Sequence, residues 1–229
     1  MTERTDLRPF AGIEALAAKR YEGPKDLEAA LPRPMPRDAL AAVPDDRWLS
    51  MLSACVFSAG LSWPVTRDKW PGFEEAFHGF DPAACAAMSP EEAEAAAAEG
   101  GIPNRAKARS IPENAGFFRA LAGEHASAAA WFAGWPAERF PELLDTLGRR
   151  GSRCGSTTPQ YFLRLMGCDG WITSETVVAA LSREGVVDRV PRTKAEHRAV
   201  SHAFAAWRAE TGRPLMQLSC ILSLSALRG

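Results

Sequence analysis

Leu147–Glu175 reads LGRRGSRCGSTTPQYFLRLMGCDGWITSE, and this stretch decides the fold. A helix ends in a basic, glycine-punctuated turn, Gly148-Arg149-Arg150-Gly151-Ser152-Arg153-Cys154-Gly155. A second helix is expected to start at Ser156-Thr157-Thr158-Pro159 and to run through Tyr161, Phe162, Leu163, Leu165 and Met166. Gly167 and Gly170 then break the chain before Thr173-Ser174-Glu175. Glycine admits positive φ and lets a backbone approach a ligand closely. The start of the second helix offers unbonded N–H groups and the positive end of the helix dipole. With three arginines beside it, this turn is expected to hold a phosphate.

The rest of the chain reads as helix, rich in alanine and without runs of Val, Ile and Thr. Phe10–Tyr21 carries Phe10, Ile13, Leu16 and Ala17 on one face, and Lys25–Leu31 is a short helix. Pro32, Pro34 and Pro36 form a connector into a helix over Pro36–Val43. Asp45 is expected to cap a central helix bearing Trp48, Met51, Leu52, Cys55 and Val56. Pro64 and Pro71 are expected to break the next segment, leaving a short helix at Gly72–Phe77. Asp81-Pro82 and Ser89-Pro90 each read as a cap followed by proline at the first helical position. Asn104 starts a basic helix that is expected to stop at Pro112 and resume through Phe117, Phe118 and Leu121. Helices over His125–Trp135, Phe140–Gly148, Glu175–Arg183, Ala195–Thr211 and Leu215–Leu227 complete an all-α, two-lobed domain. It spans 1–229 as one domain, with an N-terminal extension to about residue 44 and the hairpin at about 138–167.

Composition narrows the class. A formal charge of -1 rules out a polybasic protein that grips nucleic acid over its whole surface, but leaves room for a local basic face. Five scattered cysteines with no C-x-x-C pair predict neither a disulfide framework nor a cysteine zinc site. His197 and His202 are five residues apart, which is not the spacing of a helical metal pair. No metal and no cofactor is expected. The start MTERTDLRPF lacks an apolar core, so no secretory signal is expected, and no run is long enough to span a membrane. A monomer in the cytoplasm, with no membrane association, is the resulting expectation.

Two helices joined by a turn with Gly151 and Gly155 fit a helix-hairpin-helix, whose backbone amides hold one DNA phosphate without reading sequence. The same residues fit an ordinary helix–helix connection ended by glycine. Arg149, Arg150, Gly151, Arg153, Gly155 and Thr157 are the candidate DNA contacts there, with Arg105 and Lys107 as a second patch or, equally, a solvated helix face. Glu175 fits either a working carboxylate or a residue that complements a helix dipole. Trp63, just past a helix end, fits a wall on which a flipped base stacks, or a core tryptophan.

Ala59-Gly60-Leu61-Ser62-Trp63, then Phe73 to Pro82 (FEEAFHGFDP), then Gly101-Ile102-Pro103-Asn104-Arg105-Ala106-Lys107 with Asn114-Ala115, resemble the 3-methyladenine DNA glycosylase I family. That family belongs to the helix-hairpin-helix glycosylase superfamily. The resemblance runs from about Trp48 to about Leu121 and resumes at the hairpin. It implies an all-α fold of two lobes, a base pocket that includes Trp63, Cys55 and Phe57, and double-stranded DNA with a damaged base as the partner. The family's zinc clamp needs cysteine and histidine near the N-terminus, and none precedes Cys55. Cys55 stands where the family has a glutamate that contacts the flipped base, and the family's N-terminal aromatic segment has no match here. Across the wider superfamily a catalytic aspartate follows the hairpin, and Glu175 falls at that place. Thr157 falls where lyase-competent members carry a lysine, which implies a monofunctional enzyme. A non-catalytic DNA-binding protein of the same build is the alternative.

Overall fold

The computed structural model describes residues 7–155 and 157–227. The charged start before residue 7 and the expected helix start at Ser156 lie outside them. Among the described residues there are fourteen α-helices and no strand. The first two are α1 (Phe10–Ala18) and α2 (Pro24–Ala30). Next come α3 (Arg37–Ala41), α4 (Asp45–Ser58), α5 (Trp63–Ala76), α6 (Pro82–Ala87), α7 (Pro90–Glu99) and α8 (Arg105–Glu124). They are followed by α9 (Ala128–Ala133), α10 (Phe140–Arg150) and α11 (Thr158–Leu165). The last three are α12 (Glu175–Arg183), α13 (Lys194–Thr211) and α14 (Leu215–Ala226). The chain divides into two compact units, one of residues 35–166 and one that joins residues 1–34 to 167–229.

The contiguous unit is organised around α4, which is buried along most of its length, from Trp48 to Phe57. Trp48 stacks on Phe132 at 4.8 Å, and Phe162 of α11 meets Trp48 edge-on at 5.7 Å. The second hairpin helix is thereby tied to the same core as α4. A second aromatic group joins Phe57 to Phe73 at 4.7 Å and stacks Trp70 on Phe73 and Phe80. Such pairs add about 0.5–1.5 kcal/mol each beyond simple burial.

Several local expectations change. Asp45 is the first residue of α4, not its cap; its carboxylate instead accepts from the N–H groups of Ala128 and Ala129 at the start of α9. There it satisfies a second helix's orphan donors across 83 and 84 residues of chain. Helix α9 is shorter than the expected His125–Trp135 and is capped by Ser127. Neither Pro71 nor Pro112 ends its helix: α5 and α8 run through them. Helix α8 buries Ala108, Ile111, Ala115, Phe117, Phe118 and Leu121 on both sides of the proline. That packing outweighs one missing backbone hydrogen bond. Asp81, Ser89 and Asn104 each cap a helix as expected.

The discontinuous unit packs α1 and α12 against α14. Phe10 lies against Trp207, which meets Phe204, and Trp171 stacks on Phe204 at 4.7 Å. The Glu210 carboxylate accepts from the Phe10 N–H, and Trp207 Nε1 donates to the Arg8 carbonyl. Arg213 sits between Glu14 and Glu28, at 2.6 and 2.7 Å, and also donates to Gln217. The beginning and end of the chain are thus joined by polar contacts around an aromatic core.

Candidate functional site

The hairpin lies wholly in the contiguous unit. Helix α10 ends at Arg150, and α11 begins at Thr158 with Pro159 in its first turn. The intervening turn is pinned by Asn114 of α8, which is buried. Its side-chain oxygen accepts from the Ser152 N–H at 2.7 Å, and its side-chain nitrogen donates to the Ser152 carbonyl at 3.1 Å. One amide thereby occupies both backbone groups of a turn residue. Gly151 is required by space: a Cβ there would lie 2.6 Å from Cys154 Sγ and 2.9 Å from the Leu147 carbonyl oxygen.

The left-handed residue of the turn is not a glycine. Arg153 has φ of 57°, whereas Gly151 has φ of -88°. A side chain in that region costs roughly 1–2 kcal/mol. Among the described residues, the N–H groups of Arg153 and Gly155 have no acceptor. Arg149 pairs with Asp145 at 2.6 Å and stays largely exposed. Arg150 lies 4.8 Å over the Phe117 ring and 3.7 Å from Glu124.

The second expected basic patch is mostly committed elsewhere. Arg105 and Arg109 both pair with Glu94 of α7. Lys107 Nζ donates to the carbonyls of Phe57 (3.0 Å) and Ala59 (2.5 Å), at the C-terminal end of α4. Cations are favoured there by the dipole and the unpaired carbonyls. Burial, and next the charge of Arg153, hold the Lys107 ammonium below its usual pKa. Lys107 is therefore a link between α8 and α4, rather than a residue free to meet a phosphate.

Beside the end of α4 a cleft of about 480 Å³ opens. One wall is Cys55, Ser58 and Ala59 of α4 and its end, continued by Leu61 and Trp63. The other is one stripe of α11 and its cap, Thr157, Thr158, Tyr161 and Leu165. Positions four apart on a helix share a face, which is why Thr157, Tyr161 and Leu165 line up. Leu61, Trp63, Tyr161 and Leu165 are each more than a third exposed. They cluster at the one place where the hairpin's second helix faces the end of α4. Exposed apolar side chains gathered in this way mark a binding groove more often than chance scatter does.

Cys55, Trp63 and Thr157, picked out from the sequence, come together in this cleft. Phe57 does not: its ring is fully buried against Phe73 and Trp70, away from the cleft. Tyr161, Leu165, Ser58 and Thr158 are the residues that sequence reasoning missed. The signal for Tyr161 and Leu165 was present, as large side chains at i and i+4 on a helix whose Phe162 and Leu163 already supply the core face. The Cys55 thiol is pushed up to about 12 by burial and, secondarily, by Cys154, so it stays neutral. Ser58 Oγ is buried without a hydrogen-bond partner. Among the described residues no group of three or more His, Cys, Asp or Glu is placed to hold a metal ion.

Glu175 belongs to the other unit. It is the first residue of α12, is exposed, and follows Ser174, whose side chain caps the helix by accepting from the Val177 N–H. Ser174 and Thr176 continue this hydroxyl chain to Ser223 of α14.

Residues 40–143 match the methyladenine glycosylase family model. The match includes α4, the Trp63 wall and Asn114, and ends before the hairpin turn. Among solved structures, a 3-methyladenine DNA glycosylase I (TAG) is 28% identical, with 53% of this chain and 78% of that chain covered, at a TM-score of 0.45. The 8-oxoguanine DNA glycosylase of Thermotoga maritima is 18% identical, with 94% and 95% covered and a TM-score of 0.59. The Methanocaldococcus jannaschii 8-oxoguanine glycosylase/lyase, solved with a 15mer DNA containing 8-oxoguanine, is 15% identical, with 95% and 100% covered and a TM-score of 0.57. No curated protein matches the sequence. Residues 40–143 thus carry a methyladenine glycosylase likeness, and over nearly its whole length the protein has the all-α fold of the helix-hairpin-helix DNA glycosylases.

Proposed function

We propose that the protein is a monofunctional DNA glycosylase that releases damaged, alkylated bases from double-stranded DNA. The observation that carries this reading is the cleft of Trp63 and Tyr161, which has the hairpin's second helix as one wall and lies in the unit that bears the methyladenine glycosylase likeness. A base turned out of the duplex stacks on such rings, and turning it out is easier when it is already damaged. The turn that carries Arg149, Arg150 and Arg153 supplies the phosphate contacts, with Gly151, Gly155 and Thr157 shaping the approach. In the reaction the bond from sugar C1′ to the base nitrogen breaks, its electron pair stays on the base, and water adds at C1′. Glu175 is the carboxylate we assign to stabilise the positive sugar or orient that water. The assignment is supported by its distance in sequence from the hairpin. Thr157 in place of a lysine supports release without strand cleavage, because a threonine forms no Schiff base with the sugar. The free cysteines support action in a reducing compartment such as the cytoplasm, where we take the protein to act as a monomer.

Base release and DNA binding, measured on the same alkylated duplex, test this reading. Glu175→Gln is expected to lower release at least ~100-fold, as for other groups that act on a developing charge, while binding holds. Retention of release by this variant removes Glu175 from the mechanism. One observation favours a second reading, a DNA-binding protein without chemistry: among the described residues the cleft lining holds no Asp, Glu, His, Lys or Arg. Equal recovery of bases from alkylated and undamaged duplex supports that second reading.

A further inference from the structure

Resting on the glycosylase reading, we propose that the cleft selects damaged bases that carry no ring charge. These are bases altered at an exocyclic position or bridged across one, as opposed to purines alkylated to cations on a ring nitrogen. Three observations carry this. First, among the described residues the polar side chains of the lining are hydroxyls and one thiol, from Ser58, Thr157, Thr158, Tyr161 and Cys55, with no carboxylate. Second, the fixed charge next to the wall has the wrong sign for a cation. Lys107 Nζ lies 3.0 Å from the Phe57 carbonyl and 2.5 Å from the Ala59 carbonyl, and so brackets Ser58, which lines the cleft. That ammonium also cancels the negative end of the α4 dipole, which would otherwise attract a cation. Third, Ser58 Oγ is buried beside the cleft wall with no hydrogen-bond partner among the described residues, so that a rotation about its χ1 is what brings it to a base edge. A buried hydroxyl left unpaired is costly, and a base edge that bonds to it removes the cost.

A cationic ring entering this cleft loses water, finds no carboxylate in the described lining of the base cleft, and has the Lys107 ammonium behind the Ser58 wall as a like charge. The faces of Trp63 and Tyr161 attract cations, but both rings belong to residues about two-fifths exposed, where that attraction is weak. An uncharged base avoids the repulsion and offers an amide, ether or ring-nitrogen edge to Ser58. It is also a poorer leaving group than a cation. Hydroxyl donors against its edge compensate by stabilising the electron pair that stays on the base when the C1′ bond breaks. Water supplies hydroxide to C1′ and a proton to the base, so the products are the free base and an abasic site.

Single-turnover release is measured with the full chain on duplexes that carry 1,N6-ethenoadenine, hypoxanthine, O6-methylguanine or 7-methylguanine, each rate divided by its spontaneous rate. The expected result is at least ~10-fold higher enhancement for one or more of the three uncharged bases than for cationic 7-methylguanine, the factor that one lost or gained charge contact supplies. Ser58→Ala is expected to lower the uncharged-base rate about tenfold relative to the 7-methylguanine rate, and to raise the melting temperature slightly because it removes an unpaired buried hydroxyl. Preferential release of 7-methylguanine overturns this proposal and leaves the glycosylase reading standing. Release from none of the duplexes overturns both. A Ser58→Ala variant that loses nothing on uncharged bases also overturns the selection by Ser58.

Discussion

Arg153 is the residue at which backbone cost and the proposed DNA contact meet. It holds φ of 57° inside the turn, and a side chain that adopts this conformation is strained. Arg153→Gly is expected to raise stability by about 1 kcal/mol, read as a higher denaturation midpoint, since glycine adopts this φ freely. The same variant is expected to weaken DNA binding and reduce the salt dependence of log K by about one phosphate contact. A variant that gains stability and keeps the full salt slope separates Arg153 from the DNA. Glu196 gives a pH-dependent case. The N–H groups of Arg192 and then Thr193, with Arg189, hold its carboxyl down to about 2. A folded value below the unfolded one, about 4.3, means that the stabilisation is full above pH ~4.3 and is lost as pH falls toward 2. Acid titration of the wild type is expected to show this loss, and Glu196→Gln is expected to flatten it.

At the scale of elements the hairpin is a turn held from outside. Asn114→Ala removes both bonds to Ser152; the half-buried N–H of Ser152 is left without a partner and its carbonyl keeps only the weak Cys154 Sγ donor, at a cost of about 1–3 kcal/mol. Urea denaturation measures the loss, and hydrogen exchange in residues 151–155 is expected to accelerate with it. Gly151→Ala is expected to be as damaging, because its Cβ meets the Leu147 backbone carbonyl. Much of this element was legible in the sequence. The glycines, the arginines, Pro159 and the apolar run of α11 mark two helices and a turn. The clamp by Asn114 was not, because a contact across 38 residues leaves no periodic signal. The prolines misled for a related reason. Pro71 and Pro112 remove one bond each, which is visible in the chain, while the burial that keeps α5 and α8 intact is set by neighbours far away in sequence. Trp63 and Cys55 could be read as cleft residues from a family resemblance. Phe57 could have been separated from Cys55 by periodicity alone, since two residues along a helix shift the facing direction by more than half a turn.

At the scale of the whole molecule, Arg213 joins segments some two hundred residues apart. Its guanidinium bonds Glu14 and Glu28, and Gln217 beside it donates to the Pro32 carbonyl. Arg213→Ala strands two carboxylates at a partly exposed site and is expected to cost about 1–2 kcal/mol, with part of the loss recovered in high salt. Thermal denaturation at two ionic strengths reads both effects. The cost should fall on the unit built from residues 1–34 and 167–229, and proteolysis should cut that unit first.

That unit's discontinuity also sets an order of events during synthesis. Residues 35–166 emerge from the ribosome as one uninterrupted stretch and contain their own core, so they are free to fold while translation continues. Helix α1 must wait, because α13 and α14, on which it packs, are made long after it, and Phe10, Ile13 and Ala17 are buried only in the finished fold. Its apolar face stays bare while the whole central unit is synthesised, which makes it the segment a chaperone would hold. Nascent chains arrested just after Leu215 should therefore give a protease-resistant central fragment and an N-terminal segment that is still cleaved.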